Sequence, residues 1–565
     1  MAEQLKVEIK RNARTRRARI RIQSISRDLE DSLTQDIDAG CDFDAQSDLH
    51  TATEYPGGQT LRASETACLA PALTPPDSIG LANSPNSSSA CRNQGVTAAT
   101  HADHAAQQSH SAQKDFEPSL LMSYLDYAFP VLFPFYKPSV LEGGRSWLLT
   151  LALQHPAFYH NIIGLAAYFY GAVPVAPGPE HDACVVKAQT ELQTQMEKAV
   201  QGVRNSLRDV NERGIQNALS DSIHLLGNIV QLVNFEIAFA SSENWQIHLT
   251  AAANLFNQTL RHHGKGGQGV LLITSLLEKL RCNVPLNCSV WSAEQAAFRF
   301  FTAMVIYQDI IASTTLEKAP TLFSLYSNVI ADTPMLDTPS LLNLEEFVGC
   351  QTWVLVSIAE ISCLNEWKKG STRQGNFDIM VQVRNATIIQ ERLSDGVARL
   401  NDAVRNVPLQ AVNSPYRPLE TILAKSNINS GSAASKSTEH RLITRIWAHA
   451  AHIYLIVMLS GWQPAHLELR NHVAQALELL GSIDNPSWLR TLAWPLCVTG
   501  CLAAKEQESA FRDIANASGG LAMFGTLRDA LNIMEEVWSQ RSQHNADTWD
   551  IASCLRILGH SVLLV

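Results

Sequence analysis

No two cysteines in this 565-residue chain stand at the Cys-x2-Cys spacing of a zinc ribbon or a redox motif. The eleven are scattered at positions 41, 68, 91, 184, 282, 288, 350, 363, 497, 501 and 554, an odd number with no framework of pairs, which points to a reducing compartment. The N-terminus has no apolar core of a secretory signal, so the cytosol or the nucleus is expected. No run reaches the roughly 18 clean apolar residues of a membrane span. The longest candidate, from Leu442 to Pro464, is interrupted by Arg445, His449, His452 and Gln463. Period-two alternation is almost missing, and so are turn dipeptides between β-branched runs, which excludes a sheet-built body. The catalytic signatures are absent too: there is no Gly-x-Ser-x-Gly elbow, no Gly-x4-Gly-Lys-Ser/Thr loop, no Gly-x-Gly-x-x-Gly after a strand and no His-Glu-x-x-His.

What is present divides into three parts. Residues 1–30 form a basic head, in which Lys10, Arg11, Arg14, Arg16, Arg17, Arg19 and Arg21 stand within twelve positions. Residues 1–27 carry a net charge of +7, leaving −17 on the rest of a chain whose total is −10. Clustered guanidinium groups release counterions from a nucleic-acid backbone and also serve as import signals, and these seven residues are the candidates for both roles. Residues 31–114 are rich in Ser, Thr, Ala, Gly, Asn and Gln, are punctuated by proline and show no apolar periodicity, so a disordered linker is expected. Residues 115–565 are apolar with helical spacing throughout and predict a large irregular all-α domain.

Within that domain the apolar residues of 442–458 recur at steps of three and four, predicting a buried central helix stopped at Ser460-Gly461. A second periodic helix is expected over 182–207, with Ala188, Leu192, Met196, Ala199, Val203 and Leu207 on one face. Others are expected at 220–239, 245–260, 266–281, 292–313, 340–367, 379–405, 466–481, 486–505, 507–518, 524–541 and 548–558, and a surface loop over 425–438. His449 and His452, three apart, with His440 upstream, are the best metal-like spacing, but no Cys or carboxylate accompanies them, and packed histidines are the expectation. Cys497 and Cys501 read as buried small hydrophobes, and Trp147, Trp245, Trp353, Trp447, Trp462, Trp494 and Trp538 as core.

Several short motifs occur in order: Phe129-Pro130 through Phe133-Pro134-Phe135-Tyr136; Gly143-Gly144-Arg145-Ser146-Trp147; Trp245-Gln246-Ile247-His248-Leu249; Asp309-Ile310-Ile311-Ala312-Ser313; Gly349-Cys350-Gln351-Thr352-Trp353; Ser460-Gly461-Trp462-Gln463-Pro464; Leu489-Arg490-Thr491-Leu492 with Trp494-Pro495-Leu496-Cys497; and Met534-Glu535-Glu536-Val537-Trp538. Over about residues 115–565 they resemble the fungal-specific transcription-factor domain of zinc binuclear-cluster (Zn2Cys6) regulators. The resemblance implies a nuclear regulator of transcription, often of metabolic or secondary-metabolite genes, and not an enzyme. Such regulators begin with six cysteines that hold two zinc ions, and that pattern is missing here: the first cysteine is Cys41, in the linker. No zinc ligand is therefore assigned and no cofactor is expected in this chain, zinc entering only with an upstream exon. The expected partners are DNA, weakly or indirectly, and another transcription factor or a second copy, as a homo- or heterodimer, with no membrane. The alternatives are an all-α enzyme, which would need paired carboxylates at a cavity, with Glu345-Glu346 and Glu535-Glu536 the nearest pairs, or a helical scaffold unconnected with transcription.

Overall fold

The computed structural model describes residues 117–138, 144–173, 179–239, 244–265, 272–281, 291–330, 342–405, 433–523, 526–546 and 548–565. The basic head, with Lys10, Arg11, Arg14, Arg16, Arg17, Arg19 and Arg21, and the linker up to 114 lie outside them. Among the described residues there is no strand, only an isolated parallel bridge between Ile330 and Leu342, and the body is all-α as its periodicity predicts.

Thirteen helices of nine or more residues carry the described body: α1 (Ser146–Gln154), α2 (Pro156–Ala172), α3 (Pro179–Arg213), α4 (Leu219–Phe239), α5 (Trp245–His263), α6 (Ala293–Leu316), α7 (Thr352–Gln374), α8 (Ile379–Arg405), α9 (Ala433–Ser460), α10 (Leu467–Gly481), α11 (Ala493–Cys501), α12 (Glu508–Ala517) and α13 (Leu527–Ser539). The predicted face of α3 is buried from Ala188 through Leu207, and α2 lies along it.

Two helices share the centre. α9 is buried from Ile443 to Met458 except at the half-buried Arg445, and is packed by α7, α8, α10 and α11. Gly461, at φ +77°, ends it where the Ser-Gly pair predicts. Its stretch Thr438–Ser460 is the one helix among the described residues long and apolar enough to cross a membrane, and 83% of the apolar window lies inside the protein. α6 is buried from Gln295 to Thr315 without a break and touches α1, α4, α5 and α7. A helix buried on every side has no apolar stripe to read, which is why its centrality is less visible in sequence.

α4 and α6 run side by side in the same direction. Ser220 Oγ donates to Glu294 Oε1, and seven residues on Gly227 faces the ring of Phe301. Seven more bring Gln308 Nε2 to Asn234 Oδ1 at 3.0 Å. One offset thus holds over 14 residues of each helix. At Gly227 a Cβ would sit 2.3 Å from Phe301 Cε2, and that ring is wedged between Trp147 and Phe158. Gly227→Ala gains about 1 kcal/mol of helix propensity but drives a methyl into a packed ring, at about 1–3 kcal/mol. The expected result is a lower thermal midpoint for the single variant, partly recovered in Gly227→Ala/Phe301→Leu; a midpoint raised by Gly227→Ala alone contradicts the packing described.

Some boundaries differ from expectation. The segment 340–367 is two helices, Glu345–Val348 and α7, separated at Gly349, whose φ of +78° no periodicity reveals. The segment 486–505 begins as a 3-10 stretch, Pro486–Leu492, before α11. The expected loop 425–438 is already helical from Ala433, since Ala433, Ala434 and Lys436 favour helix where the surrounding Ser and Asn suggested loop; residues 425–432 lie outside the described residues.

Candidate functional site

The Phe133–Tyr136 motif opens onto a cleft of about 210 Å³, with the Gly349–Trp353 motif beneath it. A π-helical stretch, Tyr124–Ala128, leads into the short helix Phe129–Leu132, after which Pro134 and Pro138 keep the chain from continuing as helix. Phe135, Tyr136, Lys137 and Pro138 form one wall. Tyr136 stacks on Phe347 with ring centroids 5.3 Å apart and planes 12° from parallel, and its hydroxyl accepts from Trp147 Nε1 at 3.2 Å. Beneath Phe135 lies Gly349, where a Cβ would come within 2.6 Å of the ring. Close approach and positive φ together require glycine there.

The opposite wall comes from the start of α6. Ser292 and Gln295 form a reciprocal capping box, which leaves Trp291 just outside the helix and puts Ala296 and Arg299, three apart, on one face. The Arg299 guanidinium lies 4.5 Å from the Trp291 ring centroid, and its Nη2 is 3.4 Å from Glu346 Oε2. The first turns of α9 close the cleft with Glu439 and His440, and His440 Nδ1 is 3.2 Å from Glu345 Oε1. Phe135 also meets the rings of His440 and Trp488. Behind this wall Arg490 Nη1 donates to the carbonyl of Leu132 at 2.7 Å, and burial pushes the guanidinium down to about 10, with the phenols of Tyr307 and Tyr124 acting the other way. The Gly349–Trp353 motif joins α7 to α9: the Gln351 amide donates to Thr444 Oγ1 at 3.1 Å, and Trp353 Nε1 to Gln351 Oε1 at 2.8 Å.

This arrangement holds no acid–base pair. Glu345 and Glu346 turn to different partners, the His440 ring and the Arg299 guanidinium, and Glu535 is held by Arg512 Nε at 2.5 Å, which pulls its carboxyl below the usual range. A second hollow of about 360 Å³ lies between α7 and α8, beside Cys363, Trp367 and Ile388. Burial with Glu366 and Glu360 nearby raises the Cys363 thiol to about 12, so it is not a poised nucleophile.

The histidines group otherwise than the spacing suggests. His440 belongs to the cleft. His449 and His452 meet His472 of α10: the His449 and His472 Nδ1 atoms are 3.0 Å apart, and the His452 and His472 rings stack at 4.6 Å. Stacked rings do not aim their nitrogens at one ion, and among the described residues no group of three or more His, Cys, Asp or Glu is placed to hold a metal. Burial and mutual repulsion push His449 to about 4 and His452 to about 3. Cys497 and Cys501 are buried with sulfurs 3.9 Å apart, Cys554 beside them accepts from Trp549 Nε1, and all seven tryptophans expected in the core are there. Gly264 closes α5, while Gly266 and Gly267 lie outside the described residues. Trp291 and His472 were missed by sequence reasoning; the capping box after Trp291 was the available signal.

The family model described as the fungal specific transcription factor domain matches residues 119–565. The chain belongs to that family. Transcription factor dibT of Pestalotiopsis microspora is 38% identical over 454 residues, covering 79% of this chain and 70% of that protein. Pestheic acid cluster transcriptional regulator 3 of Pestalotiopsis fici is 27% identical over 438 residues, covering 76% and 72%. The trichothecene biosynthesis transcription regulator TRI10 of Trichoderma arundinaceum is 25% identical over 452 residues, covering 77% of this chain and 94% of that protein. No solved structure matches. The all-α body is thus that of a fungal transcriptional regulator, and its family and relatives are transcription factors rather than enzymes.

Proposed function

We propose that this regulator acts in the nucleus on a secondary-metabolite gene set, with residues 115–565 as the regulatory and protein-contacting body, 31–114 as linker and 1–30 as the import and DNA-backbone arm. Base-specific readout comes through a cluster-bearing partner factor, with the chain pairing as a homo- or heterodimer, so it works as a co-regulator or as part of a zinc-cluster factor whose cysteine module is encoded upstream. No cofactor is assigned to the chain itself.

One observation carries this reading. The family body is present over 119–565, while the six-cysteine spacing that reads DNA in such regulators occurs nowhere in the sequence. It is supported by the trichothecene regulator, 94% of which aligns with 77% of this chain. The cluster names of the relatives support the choice of target genes.

The test is a fluorescent fusion of the full chain carrying Arg14→Gln, Arg16→Gln, Arg17→Gln and Arg19→Gln. Loss of nuclear accumulation at unchanged protein level is expected. A nuclear signal equal to that of the unsubstituted fusion rejects the import role of the arm.

A further inference from the structure

We propose that the cleft between Tyr136 and Trp291 is an effector site for a small, planar, uncharged aromatic molecule bearing phenolic hydroxyl groups. The inference rests on the body being regulatory, but its binding step stands apart from transcription. Size comes first: about 210 Å³ is below the roughly 300–1,000 Å³ of sites for drug-sized ligands, which restricts the occupant to one or two fused rings.

Surface chemistry comes next. Phe135, Tyr136, Phe347 and Trp291 put four aromatic rings into the lining, Tyr136 and Phe347 stacked on each other and Arg299 over Trp291, and the ring surface left at the cleft favours an aromatic occupant through offset or edge-to-face contact. Charge then discriminates. The lining carries two cations, Lys137 and Arg299, against two carboxylates, Glu346 and Glu439, with His440 beside Glu345. A net charge on the ligand is left unmatched by such a balanced wall and loses its hydration without return. Hydroxyl groups, by contrast, donate to the carboxylates and accept from the cations.

Occupancy has a route to the core. His440 stands on the first turns of α9, and Phe135 touches Gly349 and Trp488, so a molecule that moves Phe135 acts on the α7 junction, on α9 and on the segment carrying Arg490 together. An effector shifts the regulator only by its difference in affinity between two states, and this wall is where such a difference can arise.

The experiment titrates the purified full chain with 2-naphthol, uncharged at pH 7, and with 2-naphthoate, the same rings bearing a negative charge. It follows tryptophan fluorescence and the heat of binding. Saturable one-to-one binding of 2-naphthol is expected, about ten-fold or more tighter than 2-naphthoate. Ala296→Leu fills the cleft and is expected to weaken 2-naphthol about ten-fold with unchanged circular dichroism. Should that variant fail to fold, Trp291→Phe decides: it keeps a ring in the wall, so the heat of binding persists while part of the quench disappears. Absence of saturable heat with 2-naphthol, naphthoate binding as tightly, or a quench unaltered in Trp291→Phe each overturns the proposal. None of these readouts passes through nuclear import or promoter activity, so their failure is separable from failure of the regulatory reading.

Discussion

Between pH 7 and pH 5 the folded body is expected to lose on the order of 5 kcal/mol of stability. Burial, with neighbouring charge, holds His224, His248 and His449 down to about 4 and His452 to about 3, and depresses His155, His472 and His544 as well. An unfolded histidine titrates near 6.5, so below that pH the unfolded chain binds protons that the folded one refuses. The stabilisation is complete above about 6.5 and drains away as pH falls towards 4. Each of the four histidines with the lowest values costs about 2 kcal/mol at pH 5. Asp309 and Asp529 oppose them: burial raises each to about 6, the native state protonates them first, and together they return about 3 kcal/mol over the same range. Histidine wins by number. Urea midpoints at pH 7 and pH 5 measure the difference, and equal midpoints would refute it. His248, 1% exposed with no hydrogen-bond partner on either ring nitrogen, isolates one share, since His248→Leu is expected to flatten the pH profile without lowering stability at pH 7.

Trp447→Ala is expected to be the most damaging single truncation in α9, lowering the thermal midpoint by about 4 °C. The indole is fully buried, stacks on Trp494 with centroids 5.4 Å apart and planes 10° from parallel, and meets Tyr307 edge-on. Removing it costs about 3–5 kcal/mol for transfer and cavity, with about 1 kcal/mol more for the lost stacking. Against this, Nε1 has no hydrogen-bond partner, so its removal recovers about 1–3 kcal/mol of burial penalty. The cavity outweighs the orphan donor in Trp447→Ala, whereas Trp447→Phe deletes the same donor and keeps a ring. Differential scanning of both variants should show Phe close to the parent and Ala well below it; the reverse order contradicts the packing at the Trp447–Trp494 stack.

The all-α class, most helices and the burial of 443–458 were legible because helical burial writes itself at steps of three and four. The break at Gly349 was not, because the apolar spacing of Phe347, Val348, Trp353 and Val354 continues across it. The cleft was legible only in pieces. Phe133–Tyr136 and Gly349–Trp353 stood out as motifs, but Trp291, Arg299, Phe347 and His440 come from separate segments that meet through the packing of α6 and α9. His472 went unnoticed for the same reason: spacing along one helix cannot announce a neighbour on the next. The role of the seven basic residues of the head rests on sequence alone.

The constant offset between α4 and α6 also governs which changes of length a gene for this protein can carry. One residue added inside either helix turns all that follows by about 100°, taking Phe301 off Gly227 and separating Asn234 from Gln308 together. The same residue added between α5 and α6, outside the helix Ile273–Lys279 and the Ser292 cap, leaves every one of those pairs intact. Length variation among regulators built on this body should therefore collect between the two helices, while both keep their residue count.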